Sequence, residues 1–321
     1  MKVDIETIEY YLPERVEDND LLEEENPDWR MSDLVKKTGV LKRYISDKNQ
    51  TSVDMAVIAA EKIFQNGVDR HEIDFVVLVT QSPDYLLPTS ACLIQDKLNL
   101  KKECMAFDIN LGCSGYIYGL SVCSGLIETG VAKKGLLICS ETYTKFIDKS
   151  DRTCRPLFGD GAAATLLTAC ANDKLGPFTF GTDGSGYDNL ILRGSGARVE
   201  KDSNAINNLF MEGAKVFMFT MDMVPKSVEG MLKKVDLSID EIDLFVFHQA
   251  SKLVIDNITR RLDLPEEKVF RNYQDIGNTV SASIPIALKD AEDKKVLKRG
   301  DKVMLTGFGV GFSWGSCLLE W

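Results

Sequence analysis

The sequence predicts an α/β fold built from two similar halves, on three observations. Short segments rich in Val, Ile and Leu alternate along the 321 residues with longer stretches whose apolar residues recur at helical spacing. Residues 72–82 are echoed by residues 241–251, and residues 135–139 by residues 300–305, at nearly equal offsets. No Pro-, Gly- or Ser-rich linker divides the chain, so we expect both halves to share one compact body.

The repeated segments each have the pattern of a turn that leads into a buried strand. We therefore expect residues 1–170 and 171–321 to form two α/β layers, related by a pseudo-twofold axis, with largely buried sheets. At the same offset, the segment around Cys113 in the first half falls opposite the segment around Asn278 in the second. Corresponding loops of the two halves should therefore meet at a central seam.

Three stretches have the pattern of amphipathic helices. Residues 52–66 repeat apolar side chains at helical spacing, and residues 116–128 do so after a strand-like run that ends at Gly112. Residues 212–235 predict a longer helix in which Pro225 marks a break or kink, since proline has no N–H for the helical hydrogen bond.

Composition and charge exclude several functional classes. With 38 basic and 49 acidic residues the formal charge is −11, so we expect no nucleic-acid partner. No apolar signal segment opens the sequence and no apolar run approaches about 18 residues, so no membrane association is expected. Eight cysteines without close pairing indicate reduced thiols and a cytoplasmic location. Only His71 and His248 are available as imidazole ligands, so no metal site is expected.

Cys113 is the candidate nucleophile. It follows Gly112 at a predicted strand-to-helix elbow, where the free N–H groups and positive dipole end of the new helix favour a thiolate. The ordinary alternative is a small buried hydrophobic residue, because free cysteine is commonly buried. The seven other cysteines fit that alternative: Cys92, Cys104, Cys123, Cys139, Cys154, Cys170 and Cys317.

His248 and Asn278 are the candidate partners of Cys113. His248 ends an apolar strand and Asn278 follows Gly277, so each taken alone is an ordinary core, turn or cap residue. Taken together at matched loop positions, a thiol, an imidazole and a carboxamide form a set able to carry out acyl transfer.

Five motifs occur in order along the chain: residues 107–115, 158–164, 247–250, 277–285 and 307–315. Together they resemble the signatures of β-ketoacyl-acyl carrier protein synthase III, a family of thiolase-fold condensing enzymes, and the resemblance runs nearly from end to end. It implies a thiolase-like fold with duplicated αβαβα halves. It also implies an acyltransferase that condenses an acyl-coenzyme A starter with a malonyl thioester, with decarboxylation and without a cofactor.

The resemblance also implies residue roles. Cys113 would carry the acyl group, while the backbone N–H groups of Cys113 and Val310 would hold the oxyanion. His248, as a neutral imidazole with a proton on Nε2, and Asn278 would donate hydrogen bonds to the enolate that decarboxylation leaves. Phe308 would line the active-site turn.

The resemblance also predicts roles for three further residues in substrate binding and in assembly. Arg152 and Lys37 resemble positions that contact the nucleotide or phosphates of coenzyme A. Leu87 matches a loop that, in the family, crosses a dimer interface and forms the floor of the partner's acyl pocket. A homodimer is therefore expected. Acyl carrier protein is the expected protein partner.

Several positions depart from the family's pattern, so a specialised homologue is at least as consistent with the sequence as the fatty-acid initiator itself. Lys37 stands where arginine is usual, Ser251 and Leu253 replace an asparagine and an arginine, and Val310 replaces a glycine. Two alternatives to condensation stay open. The acyl group could pass from Cys113 to an alcohol or amine with His248 as general base, or the chain could be a non-catalytic partner that binds an acyl chain or carrier.

Overall fold

The structure, a computed structural model, describes residues 2–172, 174–197 and 208–321. Its strands are β1 (Lys2–Tyr11), β2 (Arg15–Asp18), β3 (Lys42–Ile45), β4 (Phe75–Val79), β5 (Met105–Ile109), β6 (Lys134–Glu141), β7 (Gly161–Cys170), β8 (Leu175–Thr182), β9 (Leu190–Leu192), β10 (Leu209–Met211), β11 (Leu244–Phe247), β12 (Lys302–Gly309) and β13 (Ser313–Glu320). Its α-helices are α1 (Asn19–Glu25), α2 (Met31–Thr38), α3 (Ser52–Gln65), α4 (Ser90–Lys97), α5 (Gly115–Glu128), α6 (Gly213–Val235), α7 (Lys252–Arg261), α8 (Tyr273–Ile276) and α9 (Ser283–Asp293).

Two main sheets repeat one strand order. The first runs β1-β7-β6-β4-β5, and the second runs β8-β13-β12-β11. In each sheet the first three strands are antiparallel and the next pair is parallel. A parallel bridge from Phe245 to Val269 marks the place of a fifth strand in the second sheet. The predicted fold of two related α/β halves is confirmed.

The central strands form because they are apolar throughout. Every residue of β4 and of β11 is buried, as expected for strands of a parallel pair that is covered on both faces. Along the chain, β7 is the last strand of the first sheet and β8 is the first strand of the second. Position 173, which lies between them, is outside the described residues. The exact division at 170/171 stays a prediction.

Helices α5 and α9 form the layer between the two sheets. One apolar cluster joins Leu120 of α5 and Leu288 of α9 to Val77 of the first sheet and Val246 of the second. The outer face of the first sheet packs against α3 and α4. The outer face of the second packs against α6 and α7. The five layers give the αβαβα arrangement and place the ends of both sheets at one seam.

The predicted helices are present, with one difference. Helix α3 begins at a capping box formed by Thr51 and Asp54. Helix α6 runs through Pro225, so of the break or kink that the sequence predicts, the break is absent. Val224 and Val228 on either side of the proline are buried against the second sheet, and this packing offsets the missing hydrogen bond. Among the helices of the described ranges, none has the length and apolar character needed to cross a bilayer.

A substitution at Gly135 tests the packing of the first sheet. A Cβ at this position would lie 2.4 Å from ring atoms of Phe75, so Gly135→Ala should lower the free energy of unfolding by about 1–3 kcal/mol. Gly125, on the exposed face of α5, has nothing near a Cβ, so Gly125→Ala should raise it by about 0.5–1 kcal/mol. Chemical denaturation of both variants measures the difference. Equal effects would contradict the packing described.

Candidate active site

Cys113 lies in the turn between β5 and α5. The N–H of Gly115 donates to the carbonyl of Gly112 at 2.7 Å and closes the turn. Ser114, the residue before α5, shares a 2.7 Å hydrogen bond with Ser313 of β13, so the elbow of the first half is tied to the second. Only 5% of Cys113 is exposed. The sulfur therefore lies at the seam between the halves.

The structure brings His248 and Asn278 to the same place. His248 follows β11, and its N–H donates to the carbonyl of Thr306 at 2.9 Å. Asn278 follows Gly277, which has the left-handed φ of +78° that glycine adopts easily. His248 and Asn278 are 2% and 4% exposed, and together with Cys113 they line one cavity of about 590 Å³. A thiol, an imidazole and a carboxamide thus face a common space.

Two hydrogen bonds orient the imidazole and the carboxamide. Ser283 Oγ lies 2.6 Å from His248 Nδ1, so its hydroxyl can donate there and leave the ring proton on Nε2. The N–H of Val280 donates to Asn278 Oδ1 at 2.9 Å, which directs the NH₂ group of Asn278 towards His248. Asn278 Nδ2 and His248 Nε2 lie 3.4 Å apart. In this tautomer both nitrogens are donors, and together they can bind one oxygen atom.

Val280 holds an unusual backbone conformation to make its contact with Asn278. Its φ is +54°, a left-handed value that is rare for a β-branched residue. Such strain persists only where the surrounding structure enforces it, and it is concentrated at functional sites.

Val310 and Gly309 lie beside Cys113 from the end of β12. In the described part of the chain, no backbone carbonyl accepts a hydrogen bond from the N–H of Cys113 or of Val310. A Cβ on Gly309 would lie 2.7 Å from Cys113 Cβ and 3.1 Å from its Sγ. Both N–H groups are therefore free of backbone carbonyl partners among the described residues, and the space beside the sulfur admits only glycine at position 309.

Burial keeps Cys113 and His248 neutral. It lowers the pKa of His248 to about 3. Burial, with a contribution from the Glu141 carboxylate, raises the pKa of Cys113 to about 12, although its own N–H acts in the opposite direction. The expectation of a resting thiolate is therefore wrong. A helix N-terminus contributes up to about 2 kcal/mol, which does not offset removal of the sulfur from water.

The other predicted residues differ in how they relate to this cavity. Phe308 lines it and meets the His248 ring edge-on, with ring centroids 5.5 Å apart. Arg152 and Lys37 are exposed residues that also line it, at its mouth. Leu87 does not line it within the chain described; it is 82% exposed, next to exposed Leu86.

Sequence reasoning missed three polar residues that support this site: Glu141, Ser281 and Ser283. Glu141 ends the buried strand β6, and a carboxyl at the end of an apolar run was the available signal. Ser281 and Ser283 lie inside the motif 277–285, where nothing distinguished them from helix-start serines. In the described residues, no group of three or more His, Cys, Asp or Glu side chains is arranged to hold a metal ion.

Comparisons with known proteins identify the family. The model of 3-Oxoacyl-[acyl-carrier-protein (ACP)] synthase III matches residues 107–184, and that of its C terminal matches residues 232–321. A beta-ketoacyl-[acyl-carrier-protein] synthase III from Natranaerobius thermophilus is 38% identical over 314 residues, covering 95% of this chain and 94% of the relative. The chain belongs to the 3-oxoacyl-[acyl-carrier-protein] synthase III family.

Solved structures agree with this family assignment. A beta-ketoacyl-[acyl carrier protein] synthase III from Thermus thermophilus is 34% identical, with a TM-score of 0.92 and coverage of 99% of this chain and 98% of that chain. The priming beta-ketosynthase from the R1128 polyketide biosynthetic pathway is 30% identical, with a TM-score of 0.92 and coverage of 99% and 96%. The predicted synthase III family, thiolase-like fold and acyltransferase class are confirmed.

Gly309→Ala should strongly slow acylation of Cys113, because the new methyl group would lie 2.7 Å from Cys113 Cβ and 3.1 Å from Sγ and would displace the side chain. We expect a loss of about 100-fold or more in the acylation rate, as a displacement of about 1 Å can cause. Gly230→Ala on α6, where nothing lies near a Cβ, is the control and should react normally. Mass spectrometry of the acyl-enzyme over time measures both. Normal acylation of the Gly309 variant would contradict the geometry.

Alkylation of Cys113 by iodoacetamide should be slow at neutral pH. With a pKa of about 12, the thiolate fraction should rise about tenfold per pH unit from pH 7 to 10 without a plateau, whereas an ordinary thiol levels off near 8.5. The rate constant for the added mass, measured at each pH with Cys113→Ala to assign the site, gives the profile. A plateau below pH 8 would indicate a resting thiolate instead.

Proposed function

We propose that Cys113, His248 and Asn278 carry out a decarboxylative condensation that starts a fatty-acid or polyketide chain. The observation that carries the proposal is their meeting in one cavity of about 590 Å³, although they come from three separate segments of the chain. No cofactor is required, because acyl-coenzyme A enters as a substrate.

In the first step Cys113 takes the acyl group from a thioester. Its sulfur bonds to the carbonyl carbon, the bond from that carbon to the sulfur of coenzyme A breaks, and the thiol proton passes to the departing sulfur. The N–H groups of Cys113 and Val310, which no described carbonyl uses, would stabilise the oxyanion. One thioester replaces another, so no external energy source is needed.

In the second step a malonyl thioester loses carbon dioxide. The electrons of the broken C–C bond form an enolate, whose oxygen would accept hydrogen bonds from His248 Nε2 and Asn278 Nδ2. The enolate carbon then attacks the acyl carbonyl on Cys113 and displaces its sulfur, which takes up one proton from solvent. The product is a β-ketoacyl thioester.

The neutral imidazole favours condensation over the alternative transfer to an alcohol or amine. That alternative needs His248 as a general base, and a base works best when its pKa lies near the working pH. Burial lowers the pKa of His248 to about 3, which makes it a poor base but leaves it a good neutral donor. A non-catalytic binding role would need none of these three groups in such an arrangement.

We further propose that Arg152 and Lys37 bind the phosphates of coenzyme A at the cavity mouth. Lys37 would act as a point charge rather than a planar two-pronged donor. The relatives' names point to acyl carrier protein as the partner that delivers the malonyl group. Ser251 and Leu253, which depart from the family pattern, also line this cavity, so the carrier surface here would differ from that of the usual enzyme.

Assembly as a cytoplasmic homodimer is also part of the proposal. Tyr85, Leu86 and Leu87 form an exposed apolar loop, and contact with a second copy would remove it from water. Leu87 would then contribute to the partner's acyl pocket.

Substitution of the three groups tests the reaction. Cys113→Ala should give no acyl-enzyme by mass spectrometry. Cys92, which is exposed and not buried as the sequence predicted, provides the control, and Cys92→Ala should react normally. His248→Ala and Asn278→Ala should still form the acyl-enzyme but release carbon dioxide from a malonyl thioester about 100- to 1000-fold more slowly. An acyl adduct that persists in Cys113→Ala would show that Cys113 is not the nucleophile. Ester or amide formation without a malonyl donor would support the alternative transfer.

A further inference from the structure

Glu141 is a buried carboxyl group that the proposed reaction does not use. It ends β6 with no exposed surface. Its carboxylate accepts hydrogen bonds from the N–H of Gln81 at 3.1 and 3.2 Å, from Ser82 Oγ at 2.9 Å and from Thr80 Oγ1 at 3.3 Å, all in the first half. It also accepts one from Ser281 Oγ at 2.7 Å, in the second half. One carboxylate therefore joins the strand ends of the first half to the turn before α9 in the second.

The bond to Ser281 leads to Asn278. Ser281 directly follows Val280, whose left-handed backbone lets its N–H hold Asn278 Oδ1 at 2.9 Å. Glu141 anchors the residue next to this strained position, so it helps to enforce the conformation of Val280. The orientation of the Asn278 amide thus depends on a carboxylate that does not touch it.

The bond to Gln81 leads to Cys113. A Cβ on Gly112 would lie 2.5 Å from Gln81 Oε1 and 3.2 Å from Val280 Cγ1. The backbone that precedes Cys113 therefore packs directly on the two segments that Glu141 holds.

We propose that Glu141 is a positioning residue, which sets the nucleophile of the first half and the amide donor of the second in one geometry. This inference rests on the proposed function. The two oxygens of Glu141 accept hydrogen bonds from four groups: the hydroxyls of Thr80, Ser82 and Ser281 and the N–H of Gln81. Among the described residues no lysine or arginine forms an ion pair with it.

The sign of the electrostatic interaction argues against Glu141 as an activator of the thiol. The titratable groups that face Glu141 are Cys113, Cys139 and Tyr143, and the carboxylate raises the pKa of each. Burial raises the pKa of Glu141 to about 7, so the group is largely ionised above that pH, where its negative charge disfavours the thiolate of Cys113. Its benefit must therefore lie in geometry.

Two variants separate geometry from charge. Glu141→Gln removes the charge and weakens the contacts, because the N–H of Gln81 would meet an amide in place of a full carboxylate. Ser281→Ala keeps the carboxyl group and removes the hydroxyl that bonds Glu141 at 2.7 Å and the carbonyl of Val79 at 3.4 Å, both contacts between the halves. Both should lower the kcat of condensation, by about 10- to 100-fold, with the KM for acyl-coenzyme A little changed. The pH profile of Cys113 alkylation should move to lower pH in Glu141→Gln and stay in place in Ser281→Ala.

Asp290→Asn is the matched control. Asp290 is another buried carboxyl that joins the halves, since it accepts from Tyr10 Oη at 2.8 Å and from Asn272 Nδ2 at 2.9 Å; among the described residues it accepts no hydrogen bond from residues 277–281. This variant should lower the thermal unfolding temperature and leave both kcat and the alkylation profile unchanged.

The outcomes are distinguishable. If the wild-type enzyme forms no acyl-Cys113, the proposed function fails. If the wild type turns over and folded Ser281→Ala keeps full kcat, the positioning role of Glu141 fails alone. It also fails if the losses in the two variants merely follow their unfolding temperatures, as a purely structural contact would require. Should Glu141→Gln not fold, Ser281→Ala still decides.

Discussion

The meeting of two sheets across α5 and α9 is the constraint on which the rest of the molecule depends. The contact is apolar, with Leu120 and Leu288 among its buried members, and apolar burial is strong but not directional. It brings the strand ends together without fixing side chains to fractions of an ångström. Hydrogen bonds across the seam supply that accuracy, from Ser114 to Ser313 at 2.7 Å and from Ser281 to Glu141 at 2.7 Å.

The same burial determines the charge state of the site. Cys113 and His248 are both withdrawn from water, so the neutral thiol and the neutral imidazole are favoured. When the nucleophile and the imidazole are both neutral at rest, new charge develops only as the reaction proceeds, on an oxygen that N–H donors already face. Donors fixed in advance in a dry cavity stabilise such a charge more than water would, because they need not reorient. Phe308, edge-on to His248, contributes to keeping that space apolar.

Much of the architecture could be predicted from the sequence. The repeated apolar strands β4 and β11 and the periodic helix α3 depend on local pattern, which the sequence carries directly. The joint placement of Cys113, His248 and Asn278 followed from the matched positions of their segments. Features that depend on tertiary contacts were not accessible in this way. The continuity of α6 through Pro225, the depth at which Cys113 is buried and the bonds of Glu141 arise only when distant segments pack together.

The shared cavity limits how the two substrates can bind. Cys113, His248 and Asn278 all face the same 590 Å³, and its mouth carries Arg152 and Lys37. In the proposed reaction both thioesters must pass this entrance and occupy the same space, so neither can bind productively while the other is in place. An excess of either thioester should then occupy the cavity at the step that needs the other one, and so inhibit the reaction. The relative supply of starter and extender, as much as the affinity for each, would govern how often a new chain begins.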